Sequence, residues 1–516
     1  MGDAIMLNKV KSSILPMLDT LGDAIGQYFS DPLENLLDDI SQFTDVITAH
    51  VGEESVDVFL LSEALKQSLD NMDTDAIEQY YIDFCEAIVA IPIQFKVIFL
   101  PYYDDTWYSL ESIYEAFLSD PQFVTEIIII PIQRNTPSGV EHIYSNYLTP
   151  QGIPNTYYDD YDFSIDLPDI VFFNQPYDGV SYPKFQSKNI RPYAGMMVYV
   201  PYAMYLHEHV PVDKRIEHRN TWMELPGHNN ADLIIAQGDS FVKSFTGTTR
   251  NGRKMVNLGS PIIDVLLNRA NDGNWERHPE WEVIIEQRKT ILLSTNYLSF
   301  FLGPPWYNET APLFTWLLFL LESILVDEDL AIIWRPHPQT HLMANAMIGE
   351  HKAVYQECLR IADICDRIII DWTSSAISAY MYCDAVISEN SSTIAEAIGL
   401  GKPVFLVGMD YREYQSNTDN YYKAEYQNVL DNTRKQDSTE LLLQQAIPSC
   451  GIRTPLKIGD TWEEQVYQLP IATFINDMKS NIDLYSDTRQ AYYQQLVSNI
   501  DGTSGESILK YIKGLI

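Results

Sequence analysis

The chain has 516 residues, 46% hydrophobic and 20% charged, with 34 lysines and arginines against 71 aspartates and glutamates. Its formal charge of −37 excludes the basic stripe that nucleic-acid binding requires and opposes adhesion to anionic lipid. That length suits about three domains, each able to bury a core of its own.

Cys85, Cys358, Cys365, Cys383 and Cys450 are scattered, and no pair has metal-ligand spacing. A reducing cytoplasm is the expected setting. No basic stretch precedes an apolar core near residue 1, so no signal peptide is expected. The longest apolar run, 313–326, is too short to span a bilayer. The negative charge reads as a solubility device, with a salt-adapted cell as the alternative.

Residues 1–90 read as helical. Ile5, Leu7, Val10, Ile14, Leu18, Leu21 and Ile25 recur at helical spacing, with Pro16 as a kink. Asp31-Pro32 opens a second helix, and 56–68 and 75–90 give two more. This region carries no catalytic pattern and is expected to be a helical cap or dimerisation element. A helix lying in a membrane interface over 4–29 is the alternative.

From Phe95 the pattern changes to strands alternating with helices. Strands are expected at 96–100, 126–131, 170–174, 196–201, 232–236 and 255–258, with a helix over 107–118. The isoleucines 127–130 suit a strand covered on both faces. After a polar segment at 268–278, a second series follows at 289–294, 330–334, 367–371, 385–388 and 404–407. From about 428 the chain reads as mostly helical, closing with Asp501-Gly502-Thr503-Ser504-Gly505 and a helix over 506–516. The fold class expected is α/β and GT-B-like. Two doubly wound parallel-sheet domains would face a cleft, with a helical N-terminal extension and a helical tail. The expected divisions are 1–90, 91–270, 271–427 and a tail over 428–516 that crosses back to the first sheet domain.

Ligands of open α/β sheets bind beyond the carboxyl ends of the strands, so the residues that end each strand are the candidates. Trp334-Arg335-Pro336-His337-Pro338 ends one strand between two prolines, which stop either strand or helix from continuing. If the segment stays extended, Arg335 and His337 point the same way and reach one phosphate or diphosphate. The plain alternative is an arginine ion pair and a histidine that closes the loop. Ser388 ends a second strand, and Ser391, Ser392 and Thr393 open the following helix, where backbone amides and the helix dipole hold phosphate. Those hydroxyls would equally serve as ordinary caps, with Glu396 completing a capping box. Glu396 is otherwise expected to face the cleft and accept ribose hydroxyls.

In the earlier series, Asn174, Tyr177 and Asp178 end a strand and line the acceptor side, joined by His228. His207 and His209 follow another strand and are candidate general bases for an acceptor hydroxyl, as is His228. The His-x-His pair lacks acidic or cysteine partners at metal-site spacing, so no metal or other cofactor is expected. Gly259 and Ser260 end the last strand of this series, as a tight turn or as part of the donor site. No GxGxxG, Walker loop, Gly-x-Ser-x-Gly elbow or HExxH is present, which removes dehydrogenase, NTPase, serine-hydrolase and metalloprotease readings.

Residues 168–178, the Gly259-Ser260-Pro261 turn, residues 334–338 and residues 388–403 together resemble the CDP-glycerol glycerophosphotransferase family. These are the polymerases and primases of teichoic-acid-like polymers. The likeness spans roughly 95–415 plus the closing 501–505 element. It implies a GT-B fold with a CDP-alditol in the 271–427 domain and an acceptor, a polyol phosphate or glycan, on the 91–270 domain. The acceptor hydroxyl attacks the phosphorus bearing the alditol and expels CMP. Arg335 and His337 stabilise the diphosphate, with Ser391, Ser392 and Thr393 as further donors, mainly through positioning and charge neutralisation. Where the family has a Trp-His-Gly-like turn this chain has 202–209. Where it has Asp-Tyr-Ser-Ser the chain has Glu389-Asn390-Ser391-Ser392. The expected place of work is the cytoplasm, with the inner membrane face and self-association left open. The alternatives are a GT-B glycosyltransferase, a UDP-sugar 2-epimerase, and a non-catalytic GT-B-like scaffold.

Overall fold

The computed structural model describes residues 6–28, 35–51, 56–102, 106–136, 139–143, 153, 155–206, 225–245, 254–295, 315–337, 340, 349–373, 375–389, 391–407, 446–450 and 468–516. His207, His209 and the expected start of the tail near 428 lie outside these residues.

Runs that are apolar on both sides become strands because helices cover both faces of each sheet. The first half of the chain gives β1 (Met6–Leu7), β2 (Ile93–Leu100), β3 (Phe123–Ile129), β4 (Ile132–Thr136), β5 (Gly139–Ile143) and β6 (Asn155–Tyr157). It continues with β7 (Ile170–Phe173), β8 (Met196–Tyr199), β9 (Leu233–Ala236) and β10 (Lys254–Asn257). The second half gives β11 (Lys289–Thr295), β12 (Leu330–Pro336), β13 (Ile368–Ile370), β14 (Ala385–Ser388), β15 (Val404–Val407) and β16 (Ser449–Cys450).

The first sheet runs β10-β9-β8-β7-β2-β3-β6, and the second runs β13-β12-β11-β14-β15-β16. All these pairings are parallel. Both are doubly wound, and each reverses its winding once, between β2 and β7 and between β11 and β14. This is the expected α/β, GT-B-like architecture. The sequence pattern did not signal the antiparallel β4–β5 hairpin or the short strands at the sheet margins.

One apolar cluster runs through both sheets. It takes Ile98, Val171 and Met197 from the first and Leu292, Ile333 and Val386 from the second. Helices Pro261–Asp272, Ser392–Gly399 and Ser486–Leu496 fill the space with Ile262, Ile394 and Tyr493. The outer faces have separate clusters, around Phe99 and Phe172 in one sheet and Leu293 and Trp334 in the other.

The tail closes on the first sheet. Helix Ser504–Lys513 adds Ile508 and Ile512 to the outer cluster of that sheet. The backbone amides of Ser504 and Gly505 donate to the buried Asp264 carboxylate at 3.1 and 2.7 Å, so an acidic side chain from another helix caps this one. Gly505 has no room for a side chain: a Cβ there would lie 2.4 Å from the Ser112 carbonyl oxygen.

Helices Asn8–Tyr28, Leu36–Val51, Val56–Asp70 and Thr74–Ala90 build their own core around Ile14, Ile40, Leu65 and Phe84. Pro16 lies inside the first helix, as expected. Met6 and Leu7 are strand rather than helix, because they pair in parallel with Ile93 and Gln94. The Asn8 amide then donates to Asp169 at 2.7 Å, which seats this bundle at the amino end of the first sheet, away from the ligand edge. Among the described residues, no helix is long and apolar enough to cross a membrane.

Candidate functional site

The second sheet places its strand ends in register at the switch point. Ser294 of β11 is partnered by Arg335 of β12 on one side and by Ser388 of β14 on the other. Side chains alternate along a strand, so these three share a face with Leu292, Ile333 and Val386 two positions earlier. Those three belong to the core common to both sheets. Ser294, Arg335 and Ser388 are therefore the polar rim where that core stops.

Arg335 is oriented by its neighbour strand. Its Nη1 donates to Asp371 Oδ2 at 2.7 Å and to Thr373 Oγ1 at 3.2 Å. Asp371, just past β13, also accepts from the Thr373 amide at 2.8 Å and hydroxyl at 2.6 Å. The ion-pair alternative is thus realised at Arg335. An arginine carries its five N–H donors in one plane, and the pair fixes that plane. Asp371 was visible in the sequence only as the end of a strand, with no sign that it would face Arg335.

His337 follows immediately, held by its backbone amide on the Thr295 carbonyl at 3.0 Å, while its own carbonyl accepts from Thr340 at 2.8 Å. Burial, and then the positive charge of Arg335, push its pKa down to about 4. The imidazole is neutral at neutral pH and donates through one N–H without carrying charge.

The hydroxyls after β14 are not used as caps. Ser391 stands at the N-cap of helix Ser392–Gly399 but makes no side-chain cap bond. It pairs with Ser388 Oγ at 2.9 Å, while Thr393 Oγ1 meets Ser294 Oγ at 3.2 Å. Ser392 starts the helix beside them. The hydroxyl row therefore ties β11, β14 and the helix start into one polar strip.

Glu396 departs from both expectations. It forms no capping box and does not face solvent, being 2% exposed. Oε2 accepts from the Tyr380 hydroxyl at 2.7 Å and Oε1 from the Tyr108 hydroxyl at 3.1 Å. Tyr108 begins the first helix after β2, so Glu396 clasps the two sheets together. Burial raises its pKa, against the lowering effect of Tyr380, Ser392, Tyr108 and Arg335. Both carboxylate oxygens are engaged by phenols, which overturns the expected ribose contact.

At the first sheet the expected acceptor residues divide. Asn174 is fully buried and spent on structure: Oδ1 accepts from the Tyr102 amide at 2.9 Å, and Nδ2 donates to Thr106 and Ser109. Asp178 accepts from the Ser187 amide at 2.8 Å and hydroxyl at 2.9 Å, holding a short helix start. His228 is 2% exposed, with its ring edge-on to Tyr199 at 4.4 Å, and is not presented to the cleft. These three are corrections to the sequence reading: each side chain is buried or committed to backbone. Tyr177 stays half-buried, its hydroxyl 3.5 Å from that of Tyr202.

Gly259 and Ser260 are covered by the tail rather than open to a donor. Gly259 has φ +84°, and a Cβ would lie 2.5 Å from Ser504 Oγ and 2.6 Å from the Ser498 carbonyl. Ser260, 6% exposed, starts the next helix. Among the described residues no group of three or more histidines, cysteines or carboxylates could hold a metal ion.

No protein-family model matches this chain, and no curated protein matches it in sequence. Its likenesses lie among solved structures. A protein assigned as a UDP-N-acetylglucosamine 2-epimerase from Listeria monocytogenes matches at 13% identity over 82% of this chain and 96% of that one, TM-score 0.48. The MnaA protein of S. aureus, solved with UDP, matches at 13% over 82% and 98%, TM-score 0.47. The wall teichoic acid polymerase TagF matches at 15% over 89% and 97%, TM-score 0.47.

Proposed function

We propose that this chain is a transferase that binds a nucleotide-linked donor at the carboxyl edge of the second sheet and accepts a hydroxyl compound at the first. One observation carries this reading: Ser294, Arg335 and Ser388 stand side by side on three strands at the switch point, beside His337 and a helix start. Oriented N–H and O–H donors, one of them cationic, suit a diphosphate. The sequence motifs at 334–338 and 388–403 favour a CDP-activated polyol phosphate as the donor.

The acceptor oxygen would bond to the phosphorus that bears the polyol. The P–O bond to CMP breaks, and its electron pair leaves with CMP. The acceptor proton passes to a base from the first sheet domain, for which His207 and His209 are the candidates. Arg335 and the neutral His337 donate to the diphosphate oxygens throughout, and the cytoplasmic face of the membrane is the proposed place of work.

Thermal melting with CMP, CDP, CDP-glycerol, UDP and UDP-N-acetylglucosamine tests the donor, because a ligand that binds only the folded state raises the melting temperature. A rise with the cytidine compounds alone is expected. A rise confined to uridine compounds would replace this reading with glycosyl transfer or epimerisation, and no rise at all would favour the scaffold.

A further inference from the structure

The turns that lead into the strands of the second sheet, at the end opposite Arg335, hold large apolar side chains in water. Val283, Val326, Ile364 and Leu484 are 72%, 86%, 58% and 77% exposed, with Leu325 and Ile482 exposed beside them. Val283 lies in helix Pro279–Ile285 before β11, and Leu325 and Val326 end helix Thr315–Val326 before β12. Ile364 ends helix Gly349–Ile364 before β13. Ile482 and Leu484 sit in the turn between helices Gln468–Lys479 and Ser486–Leu496 of the tail. Every one of these turns lies within the described residues.

Hydrogen bonds and ion pairs join the four turns into one surface. The Arg288 side chain donates to the Glu328 carbonyl at 3.1 Å, and the Lys289 amide donates to the Asp329 carbonyl at 2.9 Å, which ties the start of β11 to the start of β12. Arg367 donates to the Ile324 carbonyl at 2.6 Å, which brings the start of β13 alongside. Lys479 pairs with Asp327 at 2.8 Å and with Asp329 at 3.4 Å, so the tail turn meets the same corner. Within that turn Asp483 is gripped by both Nη atoms of the fully buried Arg489, so Ile482 and Leu484 stand out on a fixed loop. Contiguous apolar patches on soluble proteins mark interaction sites.

The rim of the patch is acidic. The side chains of Glu328, Asp329, Asp363 and Asp366 are exposed. The cations of these turns are spent close at hand: Arg288 and Arg367 serve carbonyls, Lys289 pairs with Asp384, and Lys479 is shared by two aspartates. What the surface presents is apolar area in a negative field, on a chain whose formal charge is −37. Anionic lipid is repelled by such a field, and a second copy docked on this face would set carboxylates against carboxylates. Lysines or arginines flanking an apolar stripe are attracted to it.

We propose that this face of the second sheet domain docks a partner protein through a basic amphipathic helix, whose apolar stripe covers Val326, Ile364 and Leu484 while its cations lie over Glu328 and Asp366. The face crosses strand starts rather than following an edge strand, so it offers side chains and not unpaired backbone, and a helix is read through side chains. Ser294, Arg335 and Ser388 lie at the other end of the same strands, so a docked partner leaves the candidate donor edge open. The proposal stands apart from the transfer reading.

A labelled amphipathic peptide of leucines and lysines, titrated with the full chain by fluorescence anisotropy, is the probe, with a leucine–glutamate peptide as its opposite. The lysine peptide should bind with a Kd of about 1–100 µM and the glutamate peptide should not bind. Val326→Ser together with Leu484→Ser should weaken binding about tenfold, while Ile165→Ser, at a similarly bare side chain of the first half, should leave it unchanged. Glu328→Gln together with Asp366→Asn should weaken it about threefold and flatten its dependence on salt. No binding of the lysine peptide, or binding indifferent to the serine pair, would overturn the proposal. So would flotation on phosphatidylglycerol vesicles of the parent chain and not of the serine pair, which would make the occupant a membrane. Sedimentation of the parent as a dimer and of the serine pair as a monomer would overturn it in favour of a second copy.

Discussion

At the carboxyl edge of the second sheet stand Ser294, Arg335, Asp371 and Ser388; at the same edge of the first stand Tyr102, Asn174, Tyr202 and Gln237. The winding behind them is alike, with one reversal near the middle of each sheet. The chemistry is not alike. One edge spends its polar groups on an oriented cation and a strip of hydroxyls, and the other spends its amides on fixing rings. A shared fold has thus been given two tasks by the residues that end its strands, and function must be argued from those ends. Glu396 belongs to neither task, since its bonds to Tyr380 and Tyr108 join one half to the other.

Four substitutions or titrations would break or sharpen this contrast. The largest effect should come from Asp371→Ala, which strands a guanidinium whose side chain is only 12% exposed. Removing one partner of such a pair lowers stability by about 3–5 kcal/mol, and a chemical-denaturation midpoint close to that of the parent would show that Arg335 does not depend on it. His337→Ala should come next. If transfer runs as proposed, losing one oriented donor lowers kcat by about 10²–10³-fold with the melting temperature nearly unchanged. Comparable loss from Tyr177→Phe, at the other edge, would erase the distinction between donor and acceptor sides.

Third is a pH dependence. In the folded chain His337 titrates near 4 rather than at its ordinary 6.5, so the unfolded chain binds the extra proton first. This group leaves stability unaffected above about pH 6.5 and lowers it as the pH falls from there through about 4, by about 3 kcal/mol in all. Denaturant titrations at pH 7 and pH 4 should give a smaller difference for His337→Gln than for the parent chain. The smallest effect is expected from Tyr108→Phe, which removes one hydrogen bond to Glu396 for about 1 kcal/mol. Its more telling readout is small-angle scattering with and without nucleotide. A clasp predicts a wider spread of sheet-to-sheet distances, and an unchanged profile would reduce Glu396 to a packing residue.

The strands were legible because burial on both faces leaves an unbroken apolar signature: Ala385–Ser388 and Val404–Val407 stand where the sequence put them. The β4–β5 hairpin was not, since Gln133, Arg134, Asn135 and Thr136 carry no apolar run to read. Ser388, Ser391 and Thr393 could be brought to one place by pattern alone, because a strand end and a helix start adjoin in sequence. Asp371 and Tyr108 could not. The Tyr108–Glu396 bond spans 288 positions, and no local periodicity reports which distant strand end will face a given side chain. The same blindness explains Asn174 and His228, polar residues at inviting positions whose partners lay elsewhere in the chain.

Helix Ser504–Lys513 has a consequence for how the molecule is made. It lies on the face of the first sheet that carries Phe99 and Phe172, and the Lys513–Asp120 ion pair spans 393 positions. A chain leaving the ribosome would therefore complete every strand of that sheet before it possessed the lid for it, because Ile508 and Ile512 are made after all of them. Until then a broad aromatic surface stays wet, the condition under which nascent chains aggregate or are held by chaperones. That sheet is synthesised well before it can be finished.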